Sequence, residues 1–187
     1  GFFAAYSYVA SIVTEVAGAP SAMVPVILIV MGVGMTIGNL VGGHLADHDL
    51  KRTMLAGLAA LVVVQVLLAV TAGALIALGV FIFLVGFVSS VLSPSIQTRL
   101  MDVAGDNQSI AAALNHSALN IGNATGAFLG GVVIAAGFGF VAPVWVGALL
   151  AASGLVLALV SFGVEARATH RAPAAADLDR VLSPRRT

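Results

Sequence analysis

Polar side chains with the chemistry to bind a ligand are concentrated in one apolar stretch, residues 109–137. Four of these side chains fall within an arc of about 140° on a regular helix. They are Asn115, His116, Asn120 and Asn123. Amides and imidazoles donate and accept hydrogen bonds, so this arc could bind an uncharged polar ligand in a cavity. The alternative is that the same groups only form hydrogen bonds between helices, and the sequence leaves both interpretations open.

Four more polar side chains, in other apolar stretches, are candidates for the same cavity. They are Tyr6, Ser7, Asn39 and Ser90. An amide in the middle of an apolar helix costs free energy unless it is paired or faces water, which makes Asn39 a candidate. Tyr6 and Tyr8 are about 160° apart on a helix, so at most one of them can fully face a central cavity. Ser90 lies near Pro94, where a hydroxyl can also satisfy backbone groups that a proline leaves free.

Catalysis and metal binding have little support in the sequence. His44 and His48 have the four-residue spacing of two metal ligands on one helix face, but no third convergent ligand is evident. There is no cysteine, no serine–histidine–acid arrangement, no pair of buried carboxylates and no phosphate-binding loop. We therefore expect no cofactor, no metal, no enzymatic activity and no nucleic-acid partner.

The composition identifies the elements that must position these groups. The 187 residues are 60% hydrophobic and only 9% charged, whereas a soluble domain has roughly 25% charged residues. The apolar residues form runs of about 20, the length that crosses a hydrocarbon layer of about 30 Å as a helix. The runs are apolar on all sides rather than alternating, which favours helices over a β-barrel. The sequence therefore predicts an all-α membrane protein in contact with a lipid bilayer.

Six transmembrane helices are predicted from the apolar runs and from the glycine, proline and charged residues between them. They span about residues 2–17, 21–46, 53–72, 74–99, 109–137 and 140–164. This six-helix bundle occupies residues 1–165. Residues 166–187 are rich in alanine, proline and arginine without periodicity, so we expect a disordered tail. The chain begins at Gly1 within an apolar run, and we expect it to be a fragment of a longer polypeptide.

Every lysine and arginine lies on one side of this arrangement. Lys51 and Arg52 follow the second predicted helix, Arg99 follows the fourth, and the remaining arginines all follow the sixth. The loops after the first, third and fifth predicted helices contain no basic residue. By the positive-inside rule, the ends that carry the basic residues and the C-terminus are cytoplasmic.

Glycines recur at four-residue spacing in the second and fifth predicted helices. In lipid, helices gain no hydrophobic drive for association, and small residues at this spacing let two backbones approach closely. The glycines to which we assign helix packing are Gly38, Gly42, Gly122, Gly126 and Gly130.

Three short segments carry a resemblance to a known family. Residues 43–52 (GHLADHDLKR) resemble the Gly-x-x-x-Asp-Arg-x-Gly-Arg-Arg signature of the major facilitator superfamily, with His48 and Leu50 in place of a basic residue and a glycine. Residues 2–10 (FFAAYSYVA) resemble the opening of helix seven in twelve-helix drug:proton antiporters, and residues 115–126 (NHSALNIGNATG) resemble helix eleven. The chain is most similar to the branch that holds arabinose-efflux and chloramphenicol-efflux permeases.

The resemblance implies a fold and a set of partners. It implies that the chain forms helices seven to twelve, the C-terminal six-helix bundle of a transporter whose two bundles open alternately around a central cavity. It implies that Gly43, Asp47, Lys51 and Arg52 belong to a cytoplasmic gating loop. It also implies a bacterial inner membrane, a missing N-terminal six-helix half, a small-molecule substrate, and protons as the coupling ion.

We therefore expect a secondary active transporter that exports a small neutral or hydrophobic compound, such as a phenicol-type drug or a sugar, in exchange for protons. No carboxylate lies in the middle of a predicted helix, so we expect the proton-carrying acid in the absent half. The alternative is a non-transporting membrane assembly or sensor module, in which the polar residues only pack helices together.

Overall fold

The computed structural model is helical throughout the part of the chain that it describes, which is the backbone of residues 2–182 and the side chains of residues 2–165. The α-helices are α1 (Phe2–Tyr6), α2 (Val9–Ser11), α3 (Met23–Thr71), α4 (Leu75–Ala104), α5 (Gln108–Ala135) and α6 (Ala142–Leu182). A π-helix at Ile12–Val16 continues α2, and a 3-10 turn at Gly105–Asn107 joins α4 to α5. No strand occurs among residues 2–182.

Three helical stretches within the described residues are long and apolar enough to cross a membrane. They are Met23–Thr71, Leu75–Ala135 and Ala142–Glu165. The predicted all-α membrane protein is therefore confirmed, while the six separate crossings stay a prediction. The predicted disordered tail, residues 166–187, falls on residues whose side chains lie outside the described part, and it also stays a prediction.

Helix α3 joins the second and third predicted helices across a single non-helical residue. Asp49 has backbone angles φ −153° and ψ 89°, and its Oδ1 atom accepts a hydrogen bond of 3.0 Å from the backbone N–H of Arg52. This is the geometry of a helix N-cap, so Asp49 starts a new helix. The hydroxyl of Thr53 donates to the carbonyl of Leu45 at 2.9 Å across the bend. We call residues 23–48 the first arm of α3 and residues 50–71 its second arm.

The first predicted helix, residues 2–17, is interrupted in the structure. Helix α1 ends at Tyr6, and the chain turns at Ser7 and Tyr8 before α2 and the π-helix follow. The backbone N–H of Tyr8 bonds to the carbonyl of Ala5, three residues earlier, rather than to that of Ala4. The interruption rotates Tyr8 towards α5, where its side chain is held.

The first arm of α3 packs against α4 through the backbone. A Cβ atom added at Gly42 would lie 2.6 Å from the Cα atom of Val91, and one added at Gly38 would collide with the carbonyl oxygen of Phe87. Gly34 is in similar contact with α4 one turn earlier. The contacting residues are four apart along the first arm and four apart along α4, and they follow each other in the same chain direction. The first arm and α4 therefore run parallel. Only a residue without a Cβ atom permits this approach.

The second arm of α3 returns antiparallel to α4 through the turn after Thr71, and α6 packs beside it. Large apolar side chains from these helices and from the π-helix form the main core. The most deeply buried are Ile12, Leu68, Leu78 and Ile82. A smaller cluster around Leu58, Leu61, Val88 and Leu92 fills the other end of the same interface. The two clusters hold the hairpin of α3 and α4 as one unit.

We expect Gly38→Ala to destabilise the protein by about 1–3 kcal/mol, because the added methyl group must separate two backbones. The measurement is the thermal unfolding midpoint in detergent micelles. Gly32→Ala is the matched control, because no atom lies within 4 Å of a Cβ atom added there. That substitution should leave the stability unchanged or raise it by about 0.5–1 kcal/mol, because alanine is more favourable than glycine inside a helix. Equal effects of the two substitutions would contradict the proposed contact.

Candidate functional site

A cavity of 510 Å³ lies between the helices and opens to the outside of the bundle, with walls from α1, α4, α5, α6 and both arms of α3. Most of its wall is apolar and includes Phe2, Phe3, Leu58 and Leu61. Its polar wall residues are Ser89, Ser90, Ser93, Asn115 and Asn123. None of the described residues that line it carries a charge. The cavity therefore suits an uncharged molecule that is mainly apolar and carries a few hydrogen-bonding groups.

Three of the predicted cavity residues line this space, namely Ser90, Asn115 and Asn123. The other five are exposed on the surface of the chain and do not line it. They are Tyr6, Ser7, Asn39, His116 and Asn120. On α5, Asn115 and Asn123 at one side of the predicted polar arc line the cavity. His116 and Asn120 at the other side of the arc are exposed.

Tyr8 fastens the interrupted first segment to α5. Its hydroxyl donates a hydrogen bond of 2.7 Å to the carbonyl oxygen of Ala127, and its ring lies directly against Gly130. A Cβ atom added at Gly126 would lie 3.2 Å from the backbone nitrogen of Ala4. Tyr6 instead remains 41% exposed. The two tyrosines thus have different surroundings, because the turn at Ser7 and Tyr8 separates them.

The glycines assigned to helix packing have three different surroundings. Gly38 and Gly42 lie against the backbone of α4, and Gly126 and Gly130 lie against the first segment. Gly122 has no atom within 4 Å of an added Cβ position, and it lines the cavity.

The predicted gating-loop residues lie around the bend in α3. Arg52 pairs with Asp49, with its Nε atom 3.1 Å from Oδ2. Asp47 is exposed, and an added Cβ atom at Gly43 would meet nothing within 4 Å. Lys51 places its Nζ atom 5.3 Å from the ring centre of Phe162 on α6.

Arg99 at the end of α4 shares the aromatic ring of Phe162 with Lys51. Its guanidinium carbon lies 4.9 Å from the ring centre. The same guanidinium forms a two-pronged ion pair with Glu165, with distances of 2.7 and 3.3 Å. A planar guanidinium suits such a carboxylate pair and a neighbouring ring. These contacts join α3, α4 and α6 at the end of the bundle that carries the basic residues.

Two buried polar residues in the described part of the chain have side-chain atoms without a hydrogen-bond partner, and one of them, Gln65, was not predicted from the sequence. Gln65 on the second arm is 0% exposed, and neither its side-chain nitrogen nor its oxygen has a hydrogen-bond partner. The Oγ atom of Ser89 is likewise buried without a partner. Gln65 is the only polar side chain between Thr53 and Thr71. A single amide within such an apolar run was the signal that could have identified it.

The geometry defines a helical membrane protein with an open cavity between its helices and no charged residue in the described lining. The family model of the Major Facilitator Superfamily matches residues 1–187, and the chain belongs to this family. The resemblance predicted from the sequence is confirmed.

Curated relatives include transport proteins of several bacteria. The chain is 33% identical over 163 residues to "Inner membrane transport protein YdhP" of Escherichia coli O157:H7, covering 85% of this chain and 41% of that protein. It is 30% identical over 172 residues to "Chloramphenicol resistance protein" of Streptomyces lividans, covering 92% and 43%. It is 29% identical over 161 residues to "Uncharacterized MFS-type transporter YtbD" of Bacillus subtilis, covering 84% and 40%. The chain thus spans less than half the length of these relatives.

We expect Tyr8→Phe to destabilise the protein by about 1 kcal/mol, because it removes the hydrogen bond to Ala127 and leaves the ring in place. Amide hydrogen exchange over residues 2–16 should accelerate in this variant. Tyr6→Phe is the matched control on the same segment, and its exchange should stay unchanged because the Tyr6 hydroxyl makes no hydrogen bond within the described residues. Unchanged exchange in the Tyr8 variant would show that the hydroxyl does not hold the segment.

Proposed function

We propose that the chain is the C-terminal six-helix half of a secondary active transporter that exports a small uncharged or hydrophobic compound in exchange for protons. The observation that carries this proposal is the cavity of 510 Å³, with its apolar wall, its serines and asparagines, and no charged lining residue. A relative named for chloramphenicol resistance supports a phenicol-type drug as the cargo. A sugar is the second cargo that the same hydrogen-bonding groups would suit.

Six crossings are the arrangement that the helix lengths favour. Met23–Thr71 has 49 residues and Leu75–Ala135 has 61. A straight helix of 49 residues would be about 70 Å long, more than twice the hydrocarbon thickness of about 30 Å. The first stretch bends at Asp49, and the second turns at Gly105, which has a positive φ of 53°. Each stretch therefore supplies two crossings, and the first segment and α6 supply the remaining two.

The orientation follows from the basic residues. Lys51 and Arg99 contact one aromatic ring, so the bend in α3 and the end of α4 lie at the same end of the bundle. By the positive-inside rule this end faces the cytoplasm of a bacterial inner membrane, and the C-terminus lies on the same side. We propose that the bend in α3, with Gly43, Asp47, Lys51 and Arg52 around it, acts as the cytoplasmic gate.

The surface-exposed polar side chains would contact the partner half. Asn39, His116 and Asn120 are exposed within apolar helices, where contact with lipid would be costly. An N-terminal six-helix half would cover them and complete the central cavity. The relatives extend well beyond the matched length, which leaves room for such a half. The carboxylate that carries the proton is proposed to lie there.

The test is accumulation of chloramphenicol in cells that express the full-length protein and lack their own exporters. Accumulation should be lower than in cells without the protein, and a proton uncoupler should abolish the difference. Asn115→Ala and Asn123→Ala should each reduce export about 3- to 10-fold, the effect of one lost neutral hydrogen bond. Ser117→Ala is the matched control on the same helix, because the Ser117 hydroxyl donates to the carbonyl of Ala113 and Ser117 does not line the cavity, and it should have a smaller effect.

Two results would contradict the proposal. Export that continues unchanged with an uncoupler would exclude proton coupling. Loss of folding in the asparagine variants, without any effect specific to a substrate, would favour the non-transporting module in which these amides only pack helices.

A further inference from the structure

Pro94 interrupts the series of backbone hydrogen bonds in α4 beside the cavity. Proline has no backbone N–H, so the carbonyl oxygen of Ser90 lacks the donor that a helix supplies four residues further on. In a membrane-spanning helix, such a carbonyl is normally satisfied by a neighbouring helix, a hydroxyl or an ordered water molecule. The carbonyl of Ser90 therefore needs a donor other than the residue four positions ahead.

No side chain in the described part of the chain supplies that donor. The hydroxyl of Ser95, which directly follows the proline, donates to the carbonyl of Val91 at 3.3 Å. The hydroxyls of Ser90 and Ser93 form no hydrogen bond among the described residues. The Oγ atom of Ser89 is buried without a partner. The turn of α4 before the proline thus combines an acceptor that has lost its helical donor with hydroxyls that have no protein partner.

The hydroxyls of Ser90 and Ser93 differ in this respect from hydroxyls in α5 and α6. Ser117 and Ser153, which do not line the cavity, each donate to the carbonyl four residues earlier. A serine that forms this bond uses its donor within its own helix. Ser90 and Ser93 keep both the donor and the acceptor of their hydroxyls available for another partner.

These groups lie at the cavity wall. Ser90 and Ser93 both line the cavity. Residues three and four positions apart are neighbours on a helix surface, so the carbonyl between Ser90 and Pro94 adjoins Ser93. Ser93 is exposed, and the cavity opens to the outside of the bundle. A small molecule in the cavity can therefore reach the carbonyl and both hydroxyls at one place on α4.

The chemistry of these groups selects the group that they would bind. A carbonyl oxygen only accepts hydrogen bonds, so its partner must be a donor, whereas a serine hydroxyl can donate or accept. An alcohol is the smallest neutral group that donates to the carbonyl and accepts from a serine. An ether or a ketone only accepts, and it would cover the carbonyl without satisfying it, which is unfavourable. No described lining residue carries a charge that would favour an ion instead.

We propose that the carbonyl of Ser90 and the hydroxyls of Ser90 and Ser93 form a subsite that binds a hydroxyl group of an uncharged and mainly apolar cargo. The cargo hydroxyl donates to the carbonyl of Ser90 and accepts from a serine. The apolar part of the cargo lies against apolar lining residues such as Leu92 and Ile96 on the same helix. This inference rests on the proposed transport function only in calling the ligand a cargo.

The experiment measures equilibrium binding to the purified full-length protein in detergent, without a proton gradient. The probes are biphenyl-4-methanol and 4-ethylbiphenyl, which have similar shapes and differ in a terminal hydroxyl or methyl group. Pro94→Ala restores an N–H donor to the carbonyl of Ser90 and should weaken binding of the alcohol about 3- to 10-fold. Ser93→Ala removes a hydroxyl and should have an effect of the same size. Neither variant should change the affinity for 4-ethylbiphenyl.

Ser95→Ala is the matched control on α4. Ser95 is buried, forms its hydrogen bond within the helix and does not line the cavity. Its substitution should leave the affinity for both probes unchanged. Because Ser93 is exposed, Ser93→Ala should fold, and it decides the outcome if Pro94→Ala does not fold.

Two results would overturn the subsite. Equal weakening of both probes would show that the substitutions change the shape of the cavity rather than its hydrogen bonding. Unchanged alcohol binding would show that the cargo hydroxyl does not contact these groups. Neither measurement depends on export or on a proton gradient. Failure of uncoupler-sensitive export would therefore contradict the proposed function and leave the subsite standing.

Discussion

The absence of a hydrophobic drive between helices in lipid is the constraint from which this architecture follows. Association then depends on close packing, and the first arm of α3 reaches the backbone of α4 only because Gly34, Gly38 and Gly42 have no side chains. That contact sets the rotation of both helices. It leaves another face of α4 for the second arm, beside which α6 packs, and the cavity forms at the edge of this second interface.

Much of the helical architecture could be predicted from the sequence because a membrane imposes simple rules. Apolar runs of sufficient length must be helices, and basic residues mark one side. The interruption of the first segment could not be predicted in this way. It accompanies the contacts of Tyr8 with Ala127 and Gly130, which are more than a hundred residues away in the chain. The local helix propensity of residues 2–17 contains no information about contacts with residues so distant in the chain.

The candidate site was predictable in type but not in detail. The polar arc of α5 could be read from residue spacing, yet spacing alone does not say which part of an arc faces inward. The packing of α5 on the first segment directs Asn115 and Asn123 to the cavity and leaves Asn120 exposed. Gln65 could have been identified as a single amide within an apolar run, but only the structure shows that this amide is buried without a hydrogen-bond partner.

The second arm of α3 links the basic end of the bundle to the cavity. Lys51, Leu58 and Gln65 are seven residues apart, so they share one face of a continuous helix. Lys51 contacts Phe162 at one end of this face, and Leu58 lines the cavity further along. The arm begins at Asp49, where the helical backbone is broken and a single side chain caps the new helix. The contact at the basic end and part of the cavity wall are therefore carried by the same helix.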